Sequence, residues 1–225
     1  YLIREIELSE NIKDLIGIQK RLPVLVKALL ASGALIQNIT RIVSSITDAI
    51  TIRIIDLTIE ELGEPPCKFA FIALGSEARM EQSLATDQDN AIVFDDTADQ
   101  EVAQKYFLKM GEMVNQSLHQ TGYKLCVGDI MAGNPKWNQP LNKWKEYFRT
   151  WILEPDPQSI LETNVFFDLR YIYGVHSFVD DLKDYIYDTI KGRDIFFHHL
   201  AQFVSKAKLP LGMFGNLKAK EDDEL

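Results

Sequence analysis

Cysteine is scarce in this sequence: Cys67 and Cys126 are the only two among 225 residues. They stand apart with no C-x-x-C partner, which excludes a disulfide framework and a cysteine-built zinc site. A reducing, cytoplasmic setting is the expectation that follows. No apolar run reaches the roughly 18–20 residues that a helix needs to cross a bilayer. The start of the chain lacks the basic segment, apolar block and small-residue cleavage site of a secretory leader. Positive charge is short as well, with 24 lysines and arginines against 33 acidic residues and a net charge of −9. The basic residues are scattered, whereas a chain that grips a long nucleic acid presents a clustered basic face. A long DNA or RNA partner is therefore not expected. What is present is ordinary for a globular protein, 46% hydrophobic and 25% charged. That length can bury a sizeable core in one large domain or two small ones. Because the chain opens on Tyr1 instead of Met, we expect a piece of a longer protein.

Residues 1–62 have helical periodicity. Ser9 is placed to cap a helix carrying Ile12, Leu15, Ile16 and Leu22, and Pro23 kinks that segment or starts a new one. After Gly33, the series Ile39, Ile42, Val43, Ile46, Ile50, Ile54 and Leu57 falls at helical spacing. Gly63 and Pro65–Pro66 end it. The character then changes. Phe69–Leu74 and Asn90–Phe94 are short continuous apolar runs, the pattern of buried strands. A helix is expected from about Thr97 to Thr121, capped by Thr97 or Asp99 and closed by Gly122. Tyr123–Val127 suggests a third strand. Leu141–Leu153 reads as a helix whose Trp144, Phe148 and Trp151 share one face. Residues 164–173 fit either a strand or a helix. Further helices are expected over Asp180–Lys191 and Ile195–Lys206, before a solvated Glu221–Glu224 end.

The chemistry concentrates between the two apolar runs. A strand ending at Gly75–Ser76 lets a phosphate approach backbone that carries no side chain, and exposed amides in such a turn attract anions. After a loop of ten residues comes Asp87-Gln-Asp89, just before the next strand. Alternation puts Asp87 and Asp89 on one face of an extended chain. Two neighbouring carboxylates repel unless a cation lies between them. Mg²⁺ (or Mn²⁺) is the expected cation, since it takes oxygen ligands and shares them with substrate phosphates. Two such ions about 3.5–4 Å apart would activate an attacking oxygen and stabilise a leaving pyrophosphate. An acidic chain can bind a small nucleotide this way with only a few local cations. Arg79, four residues past Gly75, is placed to meet a triphosphate or to form a surface salt bridge. Thr86 can cap the turn before Asp87, and Asn90 can bond to a sugar or to turn backbone. His176, His198 and His199 lack the spacing of a metal cage.

Gly-Ser followed by D-x-D in this arrangement resembles the DNA polymerase β superfamily of nucleotidyltransferases. The fuller string, Gly75-Ser-Glu-Ala-Arg79, Glu81-Gln82 and Thr86-Asp-Gln-Asp-Asn-Ala91, resembles one branch closely. That branch comprises the signal-transduction nucleotidyltransferases associated with CBS and cyclic-nucleotide-binding domains, relatives of the PII uridylyltransferase. Gly128, Met131-Ala132, Asn134-Pro135, Trp137, Phe166-Phe-Asp-Leu-Arg170, Tyr173-Gly174, Pro210-Leu-Gly and Phe214-Gly215 extend the similarity over roughly residues 10 to 215. The resemblance implies a third carboxylate on a neighbouring strand. Asp168 is the first candidate and Asp129 the second. It also implies that Arg170, in a D-x-R pattern, holds phosphate bidentately; a structural ion pair is the competing reading for both Asp168 and Arg170. Asn134 and Trp137 either line the pocket or pack in the core. Upstream regulatory domains, and helices beyond Phe214-Gly215, are expected in a full-length chain.

The expected architecture is α+β, a mixed-sheet nucleotidyltransferase core flanked by helical segments. Residues 1–64 would form an N-terminal helical segment and 65–138 the core. Residues 139–225 would form a mostly helical substrate-binding region that lends a core strand near 164–173. The expected activity is metal-dependent transfer of a nucleoside monophosphate from a nucleoside triphosphate to an acceptor, which could be a protein, in signalling. Asp87, Asp89 and Asp168 would serve metal and catalysis, and Gly75, Ser76, Arg79 and Arg170 the nucleotide. The alternatives are a catalytically silent nucleotide-sensing module, or a structural domain that forms a homodimer through its isoleucine-rich N-terminal helices.

Overall fold

Three short helices, α1 (Leu2–Glu7), α2 (Ile12–Gln19) and α3 (Leu22–Ala31), lead into the long α4 (Ile36–Leu62). In this computed structural model the described residues are 1–96, 99–154, 164–194, 196–198 and 201. Thr97, His199, most of the helix expected after Ile195, the Pro210-Leu-Gly and Phe214-Gly215 strings and the acidic end lie outside them. Asn11, not Ser9, caps α2, its side chain accepting from the amides of Lys13 and Asp14. Ser9 instead turns back, its hydroxyl donating to the Glu5 carbonyl at 3.1 Å. Pro23 opens α3, where its missing N–H would have no helical partner.

Strand β1 (Phe69–Leu74) runs into the single turn α5 (Gly75–Ala78), and β2 (Asn90–Phe94) returns antiparallel to it. Helix α6 (Gln100–Thr121) is capped by Asp99 and closed by Gly122. A short strand, β3 (Asn138–Pro140), precedes α7 (Leu141–Leu153); β4 (Leu169–Gly174) precedes α8 (Ser177–Ile190). The strand order is β3-β2-β1-β4, with β3 parallel to β2 and β4 antiparallel to β1. Residues 164–173 thus satisfy both expectations in turn, 164–167 helical and 169–174 extended. Tyr123–Val127 is not a strand. Only one isolated bridge forms there, Asp87 with Lys124, because the segment turns away at Asp129, whose φ is 54°.

The runs of β1 and β2 are apolar at every position because both faces of the sheet are covered. Phe69, Phe71, Ala73, Ile92 and Phe94 face a core built with α1–α4 and α6. Ala70, Ile72, Leu74, Ala91 and Val93 face a second core with α7, α8 and Phe166. Trp144 anchors that second core, fully buried, with its indole N–H donating to the Ile92 carbonyl at 3.0 Å. Full burial of each large aliphatic or aromatic side chain is worth about 1.5–3 kcal/mol. Ile39, Val43, Ile46, Ile50 and Ile54 all lie inside the first core. These α4 residues are therefore covered by the chain itself, while Ile36 and Ile42 of the same helix are exposed. No helix among the described residues is long and apolar enough to cross a membrane.

Candidate active site

The antiparallel neighbours of β1 bring three chain segments to one end of the sheet. Leu74 N–H donates to the Asp89 carbonyl at 2.9 Å, and Gly75 N–H donates to the Asp168 carbonyl at 3.0 Å. Gly75 thus lies between Asp89 at the start of β2 and Asp168 at the start of β4. Its φ is +54°, a region that favours glycine. A Cβ there would stand 2.7 Å from Val165 Cγ2 and 3.4 Å from Asp89 Oδ2. The bare Cα lets the Val165 side chain and the Asp89 carboxylate approach this backbone closely.

The intervening residue of the D-x-D string fixes which way its aspartates face. Gln88 is 2% exposed, and its amide donates to the carbonyls of Asn115 at 3.2 Å and Tyr123 at 3.3 Å. Asn115 Nδ2 donates in turn to Gln88 Oε1 at 3.0 Å and Asn90 Oδ1 at 2.9 Å. Asn90 also accepts from Ala132 N–H at 2.9 Å, and Asn115 Oδ1 from Gly133 N–H at 2.8 Å. This buried amide network ties Gln88 and Asn90 to α6 and the 131–134 loop, so alternation leaves Asp87 and Asp89 to the opposite face. Asn90 is consumed in the network, which removes the sugar-binding option. Thr86 donates to the Asp87 carbonyl at 3.3 Å, inside the expected turn.

Asp87 and Asp89 meet, and a residue from elsewhere joins them. One oxygen of each carboxylate and Sγ of Cys126 lie within 4.8 Å of one another. The Asp89 carboxyl titrates above its ordinary range, chiefly through burial and further through the charge of Asp87, while a hydrogen bond from Cys126 acts the other way. Burial first, then Asp89, pushes the Cys126 thiol up to about 11. Neither aspartate has an ion-pair partner among the described residues. A divalent cation would relieve both the burial cost and the mutual repulsion, and the donor set fits one.

Asp168 and Asp129 are placed differently. Asp168 accepts from Arg79 Nη1 at 2.5 Å and is outside the three-donor group, while Arg79 Nε donates to Glu81 at 2.8 Å. Asp129 is a turn residue. Its carboxylate accepts from Asn134 Nδ2 at 2.8 Å, and its carbonyl from Asn134 Nδ2 and Trp137 Nε1, each at 3.0 Å. Asn134 and Trp137 thereby support that turn, and Trp137 packs 4.3 Å from the Phe166 ring. Ser76 Oγ makes no hydrogen bond among the described residues.

Arg170 is occupied. Its guanidinium grips Asp48 of α4 with two bonds of 2.8 and 2.9 Å, and donates to the carbonyls of Glu77 at 2.9 Å and Ala78 at 3.2 Å. Beside this clamp Glu77 is buried, and its carboxyl rises to about 8. Burial contributes most, with Asp48 and Asp89 adding to it and Arg170 opposing. Sequence reasoning missed Asp48, Glu77 and Cys126. For Asp48 a signal exists: Ser44, Thr47, Asp48 and Thr51 fall at i, i+3, i+4 and i+7, a polar stripe within an isoleucine-rich helix. Ser44 accepts from Gln82 N–H at 3.3 Å and Thr47 from the Tyr123 hydroxyl at 3.2 Å.

A comparison with family models gives one finding: the model described as "Putative nucleotidyltransferase DUF294" matches residues 20–158. The matched span holds Gly75, Ser76, Arg79, Asp87, Asp89 and Cys126, and stops before Asp168. Among curated proteins none matches the chain. The chain belongs to this nucleotidyltransferase family, DUF294, and nucleotidyl transfer is the activity that membership indicates.

Proposed function

We propose that this chain moves a nucleoside monophosphate from a nucleoside triphosphate to an acceptor, releasing pyrophosphate. The convergence of Asp87 and Asp89 beside the bare backbone of Gly75 carries the reading. The two carboxylates would hold a divalent cation, Mg²⁺ or Mn²⁺, which when bound neutralises phosphate charge and favours attack at the α-phosphorus. The turn of α5, which opens at Gly75, would receive the phosphate. The Ser76 hydroxyl can donate to a phosphate oxygen, and Arg79 Nη2, which makes no hydrogen bond among the described residues, can donate to another. Asp168, held by Arg79, would accept the acceptor's proton or serve as a further ligand once released. We read Arg170 as a positioning residue that fixes α5, because its fork is already filled by Asp48. The resemblance to relatives of the PII uridylyltransferase supports a protein acceptor in signalling, with regulatory domains preceding this core.

The test uses each nucleoside triphosphate labelled at the α-phosphorus, with Mg²⁺ or Mn²⁺ and a cell lysate. Label should pass to an acceptor, and Asp87→Asn or Asp89→Asn should lower transfer at least about 100-fold. A second reading, a nucleotide sensor without turnover, is favoured by the engagement of Asp168 with Arg79 outside the three-donor group. Tight nucleotide binding with no product for any acceptor would establish it instead.

A further inference from the structure

The third corner of the aspartate pair is a sulfur. Its position is set from both sides, which separates it from a cysteine that merely drifts nearby. Upstream, Gln88 N–H donates to the Lys124 carbonyl at 2.9 Å. Downstream, Asp129 N–H donates to the Cys126 carbonyl at 3.0 Å and Asn90 N–H to the Ile130 carbonyl at 3.1 Å. The segment carrying Cys126 is thus stitched to the D-x-D strand on either side of the thiol. Sγ then lies within 4.8 Å of one oxygen from each aspartate. Asp168, the carboxylate expected in this place, is turned to Arg79.

Sulfur changes which ion the site prefers. Mg²⁺ takes hard oxygen ligands in near-octahedral geometry and keeps several waters. Thiolate favours softer ions, and three protein donors with one open position suit a four-coordinate catalytic centre. Resting on the reading of Asp87 and Asp89 as cation ligands, we propose that Cys126 is the third protein donor of this site, which therefore binds thiophilic divalent cations such as Zn²⁺ and Co²⁺ through one sulfur and two carboxylates. Mg²⁺ meets only the carboxylates. As the metal–sulfur bond forms the S–H bond breaks, and the proton passes to solvent.

Cobalt titration of the full chain, followed by absorption, tests this without an activity assay. The wild type should show a thiolate-to-cobalt charge-transfer band. Cys67→Ser should keep it, since Cys67 lies just before β1, at the strand's opposite end from Gly75. Cys126→Ser should lose it, with Co²⁺ affinity falling at least about 10-fold. Cobalt binding by the wild type without a sulfur band overturns the proposal, whatever the folding of the variants. So does a band that vanishes in Cys67→Ser. Asp87→Asn and Asp89→Asn separate the two levels. If they lose Mg²⁺ while the wild type shows no sulfur band, only the Cys126 assignment fails. If they bind both ions as the wild type does, the metal site itself falls, and this proposal with it.

Discussion

Gly75 concentrates two constraints at one atom. Its positive φ costs a residue with a side chain about 1–2 kcal/mol, and a Cβ would collide with Val165 Cγ2 at 2.7 Å. Gly75→Ala should therefore lower the melting temperature and also weaken nucleoside triphosphate binding, since relief of the clash pushes α5 off the Asp89 carboxylate. Calorimetry and equilibrium binding on the same variant check both, and unchanged nucleotide affinity would place the phosphates elsewhere. The residues around this glycine were legible because their logic is local. A strand end, a bare backbone and alternation across Asp87-Gln-Asp89 need no knowledge of distant contacts. Cys126 was not legible, since its place depends on a segment about forty residues away folding back beside Asp87. Asp129 was misleading for a related reason: it follows an apolar stretch, but its carboxylate serves its own turn through Asn134.

Between elements, the Asp48–Arg170 pair joins α4, α5 and β4 through one side chain. The geometry is bidentate, and Arg170 and Asp48 side chains are only 25% and 18% exposed. Removing one partner of a fully buried pair costs roughly 3–5 kcal/mol, and the partial exposure here should bring the cost below that. The informative variant is Asp48→Asn, which leaves the guanidinium in place with a weaker partner. If Arg170 positions α5, nucleotide affinity should fall along with stability in isothermal titration. Unchanged or tighter binding would instead mean that Arg170 reaches phosphate directly. The two central strands and α7 kept the bounds read from sequence, whereas α2 is capped by Asn11 instead of Ser9 and α8 begins at Ser177 instead of Asp180. The β3 strand was not legible, because three residues ending in proline carry no alternation to detect. Tyr123–Val127 carried a strand-like composition yet pairs only at Lys124, where the approach of the chain to Asp87 sets its course.

At the scale of the whole molecule, the buried carboxyl of Glu77 gives folding a pH dependence. Its folded pKa, about 8, stands above its ordinary value of 4.5. The folded state therefore binds the proton more tightly, so this contribution to stability is fully present below about 4.5 and is lost as pH rises through about 8. Glu77→Gln should flatten the decline across that window, and denaturant melts at several pH values would show it; an identical slope in both proteins would assign the dependence elsewhere. The sheet offers a last consequence at this scale. Its β3 margin, among the described residues, is three residues long and finishes on Pro140, opposite Phe94. Proline has no N–H to offer, and α7 begins at the next residue. Another polypeptide arriving in extended form would find almost no ladder to extend there, so that flank is guarded against the edge-to-edge growth that seeds aggregates.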